Sequence, residues 1–265
     1  MRSFVAFAVA AVRQQTGYRA EILSMVLGAN IEVFARISIW KAVYGGQHAV
    51  AGVTLPQMIA YAIIGATLLS NWDAALVVRE IGAAIRTGQI GNTLIRPASF
   101  PVMLFAENLG PRLFNFAAVC TPVIIIFSLL YGLLPPANLA HGLLFIGYVA
   151  VSTTLLLLIS ILFGLLSFWV FDAHSLEWFM RGFGALLSGG LVPLWFFPPV
   201  LAETAHVLPF AWITYYPMAV YLGQLDLVYS LTYLAVGLLC WIAGLVGLIA
   251  ALWSRACRRI VVQGG

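Results

Sequence analysis

From Gly142 to Phe171 the chain runs for thirty residues without a charged side chain, and from Leu227 to Trp253 it does so again for twenty-seven. About 20 apolar residues in helical form span the ~30 Å hydrocarbon layer of a bilayer. Helices and closed barrels are the structures that satisfy their own backbone there. Three further charge-poor runs, Ala20 to Val43, Leu55 to Val78 and Leu109 to Leu134, are of comparable length. A sixth, Gly182 to Phe197, has only sixteen residues before Pro198 and Pro199. The pattern predicts an all-α polytopic membrane protein with six transmembrane helices, forming a single transmembrane domain over residues 1–265. Composition agrees, since 63% hydrophobic and 8% charged lie far from the ~45–50% and ~25% of soluble domains.

Residues 198–225, between the fifth and sixth runs, are apolar and aromatic with Glu203 as their one charge. Pro198, Pro199, Pro209 and Pro217 prevent a continuous helix, so this stretch reads as an outer re-entrant or interfacial segment. Trp195, Trp212, Tyr215 and Tyr216 suit an aromatic belt at the membrane surface. At the other end, residues 3–12 follow Arg2 and read as an N-terminal interfacial helix on the inner leaflet. A signal-peptide core is the competing reading, and it conflicts with the charge pattern of every later loop.

Orientation follows from the arginines. With six crossings and both termini cytoplasmic, eleven of the thirteen cations lie at or near the inner face: Arg2, Arg13, Arg19, Arg79, Arg86, Arg96, Arg112, Arg181, Arg255, Arg258 and Arg259. Lys41 is the chain's only lysine, and Gly45 and Gly46 follow it rather than precede it. A phosphate-binding P-loop needs the glycines first and the lysine after them, so this chain is not itself a P-loop ATPase. Cys120, Cys240 and Cys257 are too widely scattered to suggest a disulfide framework or a zinc site.

Polar residues in so apolar a chain mark the places to look for function. The inner loop 79–100 begins with Arg79, Glu80, Ile81, Ala84, Ile85 and Arg86, which mix an apolar stripe with charges at helical spacing. Gly88 suits a left-handed helix end, and Pro97 forces Arg96 towards extended backbone. Such a helix fits docking to a cytoplasmic partner, and equally a basic helix resting on anionic lipid. In the first span Glu32 and Arg36 stand at i,i+4 with the acid first, the favourable order for a pair. Charge at that depth costs at least ~2.5–3.5 kcal/mol, so the two either neutralise each other to fix packing or line a substrate path. In the fifth, Ser188, Gly189, Gly190 and Pro193 loosen the helix and allow close helix approach. They suit a hinge or gate, and also a packing groove. Asp172, His174, Glu177 and Arg181 form a second polar inner segment that fits contact with a cytoplasmic partner but is read mainly as a solvated helix start, while Asp73 reads as interfacial and within reach of Arg79.

Ile85, Arg86, Thr87 and Gly88, followed by Leu94, Ile95, Arg96, Pro97, Ala98 and Ser99, resemble the membrane subunits of ATP-binding-cassette exporters. More narrowly, they are similar to the type-2 permease class, the small six-span bacterial branch. Ser188, Gly189, Gly190, Pro193, Phe197 and Pro198, then Leu208, Pro209, Phe210 and Pro217, resemble that group's short fifth span and outer re-entrant helices. The resemblance implies a permease subunit in the bacterial plasma membrane that forms the path with a second permease, identical or related. A separate nucleotide-binding ATPase would bind ATP and magnesium, leaving this chain with no cofactor. It further implies a coupling helix in loop 79–100 whose Glu80, Ile81, Ile85, Arg86 and Gly88 touch that ATPase, with Arg96 and Pro97 setting the turn into the third span. A secondary transporter or channel is the alternative. An intramembrane hydrolase using Ser188 and His206 is a further one, although it requires the two within hydrogen-bond reach. The substrate is not encoded in any of these motifs.

Overall fold

The computed structural model describes residues 19–70, 74–88, 90–93, 99–170 and 173–258, and these are helical almost throughout. Residues 3–12, Asp73, Arg96, Pro97 and Asp172 lie outside the described residues. Helix α1 (Arg19–Tyr44) leads into a small antiparallel hairpin, β1 (Ala49–Val50) and β2 (Val53–Thr54). Then come α2 (Leu55–Ser70), α3 (Ala74–Arg86) and the single turn α4 (Ile90–Thr93). Helix α5 (Phe100–Asn115) passes through a π turn, Phe116–Cys120, into α6 (Thr121–Tyr131). Pro122 has no N–H to offer the carbonyl four residues back, which explains a widened turn just ahead of it. Gly132, at φ +73, ends this helix in a conformation that only glycine takes freely.

Helix α7 (Leu139–Leu166) starts on Asn138, whose side chain accepts the His141 N–H at 2.9 Å. Helix α8 (Ala173–Leu187) is followed by 3₁₀ turns at Leu194–Phe196 and Pro209–Trp212 and by two short helices, α9 (Pro199–Val207) and α10 (Tyr215–Tyr221). Each of these pieces has a proline at or near its start, where a missing N–H costs nothing. The chain ends in α11 (Leu227–Val236), a π turn at Gly237–Ile242 and α12 (Ala243–Cys257).

Among the described residues, four continuous helices are long and apolar enough to cross a membrane: Ala20–Tyr44, Phe100–Tyr131, Leu139–Leu166 and Leu227–Cys257. They correspond to the first, third, fourth and sixth runs, the third beginning nine residues earlier than expected because its polar inner end is helical too. The second and fifth differ more. Helix α2 is described to Ser70 and α3 from Ala74, so the expected run 55–78 takes in Val77 and Val78 of α3. In place of a span over 182–197, α8 begins at Ala173 and stops at Leu187, because the Gly189 turn and Pro193 cannot prolong it.

Helix α7 is the central post. It packs against α3, α5, α8, α10, α11 and α12, and 61% of its most apolar stretch is buried, against 17% for α1 and for the last helix. A second apolar cluster joins α1, α2 and the region from Val119 to Phe127. Helix α10 ties the two together, with Tyr216 and Val220 in the α7 cluster and Met218 and Tyr221 in the other.

Candidate functional site

Helix α3 has two faces. Val77, Val78 and Ile81 recur every three or four residues and are fully buried, and Ile85 packs on the same core. Gly164 of α7 lies directly beneath Ile81, where any side chain would collide with it. Burying each such residue is worth about 1.5–3 kcal/mol, so this face seats the helix. On the other side Glu80, Arg86 and Gly88 are exposed. Gly88 takes φ +71, as a helix-ending glycine should, and its N–H reaches the Ile85 carbonyl at 3.2 Å. Of the residues assigned to partner contact, Glu80, Arg86 and Gly88 are exposed at the surface, while Ile81 and Ile85 pack on this chain's own core. Ile81 lies against Gly164 of α7, and Ile85 is half-buried on the same core.

The same helix is clamped to α8. Arg79 Nη2 lies 3.5 Å from Glu177 Oε1, Arg181 Nη2 lies 3.7 Å from that oxygen, and His174 Nδ1 lies 3.7 Å from Oε2. Glu177 is only 10% exposed. Within the segment read as a solvated helix start, Glu177 is buried and joins α8 to α3 through Arg79, while His174 and Arg181 remain exposed.

At the far end of α8 two separate sequence features meet. Gly189 turns at φ +72, and three consecutive carbonyls lose the helix as their partner. The Tyr215 N–H donates to the Ser188 carbonyl at 2.9 Å, and Tyr61 Oη donates to that of Gly189 at 2.7 Å. The Arg36 guanidinium takes the Gly190 carbonyl while pairing with Glu32 at 2.6 Å. The i,i+4 pair in α1 thus also reaches the glycine turn. Pro193 follows in extended backbone at ψ 143, opening the 3₁₀ turn.

Ser188 is a turn former. Its hydroxyl donates to the Ala185 carbonyl at 3.2 Å and accepts the Gly190 N–H at 3.1 Å. The His206 Nδ1 lies 3.1 Å from Tyr216 Oη, and burial pushes this imidazole below its ordinary value. Ser188 and His206 share no hydrogen bond, so the nucleophile and base that a hydrolase would need are not assembled.

A family model described as "ABC-2 family transporter protein" matches residues 31–264. The chain belongs to the ABC-2 transporter family. No curated protein and no solved structure matches it at a significant level. The protein is accordingly a multi-pass membrane permease of the ABC-2 type, and its helices and family agree on that point.

Several residues of this ABC-2 permease escaped the sequence reading. Tyr61 left a signal, since a phenol in an apolar run has to find an acceptor. Gly164 left none, because its role depends on which helix crosses it. Of the four aromatics assigned to a surface belt, Trp212 and Tyr216 are buried, while Trp195 and Tyr215 are half-buried. Trp212 is 2% exposed and donates to the Tyr233 carbonyl at 3.0 Å, and Tyr216 stacks on Tyr233 with ring centroids 4.9 Å apart. Trp212 also wedges against Gly237, where an added Cβ would lie 2.5 Å from its Nε1. The last helix widens into its π turn at that point.

Proposed function

We propose that this permease is the membrane-spanning subunit of an ATP-driven exporter, coupled through α3 to a separate ATPase and lining the translocation path together with a second permease. The observation that carries this reading is the two-sided character of α3: one face is seated on α7 and clamped to α8, and the other carries solvent-exposed charged residues. A partner that pushed on this edge would move α3, α7 and α8 together, because their contacts are buried and close-packed. Nucleotide binding shifts such an equilibrium only if the ATPase prefers one docked geometry, and a rigidly seated helix supplies that preference.

In this reading the motor lies in the partner, which binds ATP and magnesium, and no catalytic group is assigned to this chain. The chain crosses the bacterial plasma membrane six times with both termini cytoplasmic. Helices α2 with α3 and α8 with the outer turn complete the crossings, and α9 and α10 form the outer re-entrant segment. The burial of Ala211, Ile213 and Thr214 supports that assignment, since irregular backbone at membrane depth has to be enclosed by protein.

The test replaces exposed residues only. Glu80→Ala with Arg86→Ala should leave insertion intact and weaken docking of the ATPase by roughly thirtyfold, the equivalent of about 1 kcal/mol from each of two contact residues. Permease-stimulated ATP hydrolysis in reconstituted membranes measures it. Full stimulation and full transport by the double variant would refute α3 as the coupling element.

A further inference from the structure

The turn at the end of α8 is held by donors from three other parts of the chain. Ser188, Gly189 and Gly190 present consecutive carbonyls, satisfied in order by the Tyr215 N–H, the Tyr61 hydroxyl and the Arg36 guanidinium. A polar group left bare in a dry surrounding is costly, and the cost is highest where no water can replace the lost donor. The turn therefore cannot move away from α1 and α2 unless water or another donor enters as they separate.

We propose that Arg36 and Tyr61 are positioning residues that latch the broken end of α8 to α1 and α2, and that releasing this latch admits water to the outer turn during transport. Three observations converge on it. Gly190 cannot gain a side chain without pressing on Leu69 of α2, whose methyls lie 3.0 Å from its Cβ position, so the turn is seated tightly on its holder. Tyr61 is fixed independently by its ring, edge-on to Trp195 with centroids 5.2 Å apart. Glu32 anchors Arg36 from within α1, which orients the guanidinium towards the turn. The opposite end of the same helix carries the Glu177 clamp to α3. Helix α8, fifteen residues or about 22 Å long, thus joins the proposed coupling helix to the latch as one rigid rod. That link rests on the transport reading above, whereas the latch itself does not.

The experiment uses the full chain with Cys120, Cys240 and Cys257 replaced by alanine and a reporter cysteine at Leu194, which is fully buried against Gly189. The chain is reconstituted in liposomes and labelled with a water-soluble, membrane-impermeant maleimide. Tyr61→Phe keeps the ring and removes the donor. It should speed labelling about tenfold, the effect of losing one buried hydrogen bond on a local opening. Glu32→Gln with Arg36→Met, which leaves no lone charge, should speed it at least as much. Arg36→Lys, which keeps a cationic donor, should stay close to the parent. Ala205→Cys, buried in the same outer segment, serves as the control and should remain slow throughout. Unchanged labelling at position 194 in both donor-removing variants overturns the latch, and so does a parallel rise at position 205, which would mean that the whole segment has loosened. The transport link is read separately in the complex with its ATPase: ATP should speed labelling of the parent at 194. If ATP leaves that rate unchanged while Tyr61→Phe still raises it, the latch stands and the coupling to transport is overturned.

Discussion

Gly182 and Gly189 stand seven residues apart around the end of one helix, yet the same substitution should have opposite signs at the two. Gly182 lies inside α8, and nothing approaches its Cβ position within 4 Å. Alanine there restores helix propensity worth about 1 kcal/mol. Gly189 has φ +72, and an added Cβ would meet Tyr215 Cβ at 3.1 Å and Tyr61 Oη at 3.2 Å. A left-handed alanine costs about 1 kcal/mol before any crowding, so Gly189→Ala should destabilise by roughly 1–3 kcal/mol. Thermal unfolding in detergent, followed by circular dichroism, should show the melting point rise for the first variant and fall for the second. Only part of this region was legible in the sequence. The Glu32–Arg36 pair was, because i,i+4 spacing is a local geometric fact. Its third partner, the Gly190 carbonyl, was not, because the register of α1 against α8 is decided by packing across 154 residues of chain.

Among the elements, α3 poses a question of magnitude, since two kinds of contact hold it. Its ion pair to Glu177, made by Arg79, is 3.5 Å long and involves an arginine more than half exposed, and such a pair contributes about 0–1 kcal/mol. Ile81, 1% exposed above Gly164, stands to lose about 2–4 kcal/mol on truncation to alanine. Apolar seating should win. Ile81→Ala is expected to destabilise the permease at least twice as much as Glu177→Gln in denaturant unfolding from mixed micelles. The reverse order would make the clamp the principal fastening. The amphipathic stripe of α3 was readable from its 3.6-residue period. The limits of the fifth run were not, for a physical reason: an apolar run reports where a segment is buried, and Leu191 to Phe197 are apolar without being helical in one piece. Hydropathy cannot distinguish a helix from a turn whose carbonyls are satisfied by other parts of the chain.

At the scale of the whole molecule, one surface is ill suited to lipid. Along α1, Ser24, Gly28, Ile31, Ala35 and Ser38 repeat at helical spacing, and all are exposed. Four of the five are small, and small residues bring helices close together, whereas lipid gains nothing from them. Beside this stripe Glu32 is 40% exposed, at a depth where uncompensated charge costs several kcal/mol. Both features are accounted for if the second permease of the proposed complex lies against α1, covering the stripe and leaving the carboxylate in a wet or protein-lined gap. With the native cysteines replaced by alanine, Ala35→Cys should then give disulfide-linked species on mild oxidation in native membranes. Val246→Cys, exposed on α12, should give none. A linked band of about twice the chain's mass identifies a second copy, and one of different mass identifies a related permease. With no linked species from Ala35→Cys, pairing across α1 is wrong, and the exposed stripe is left facing lipid.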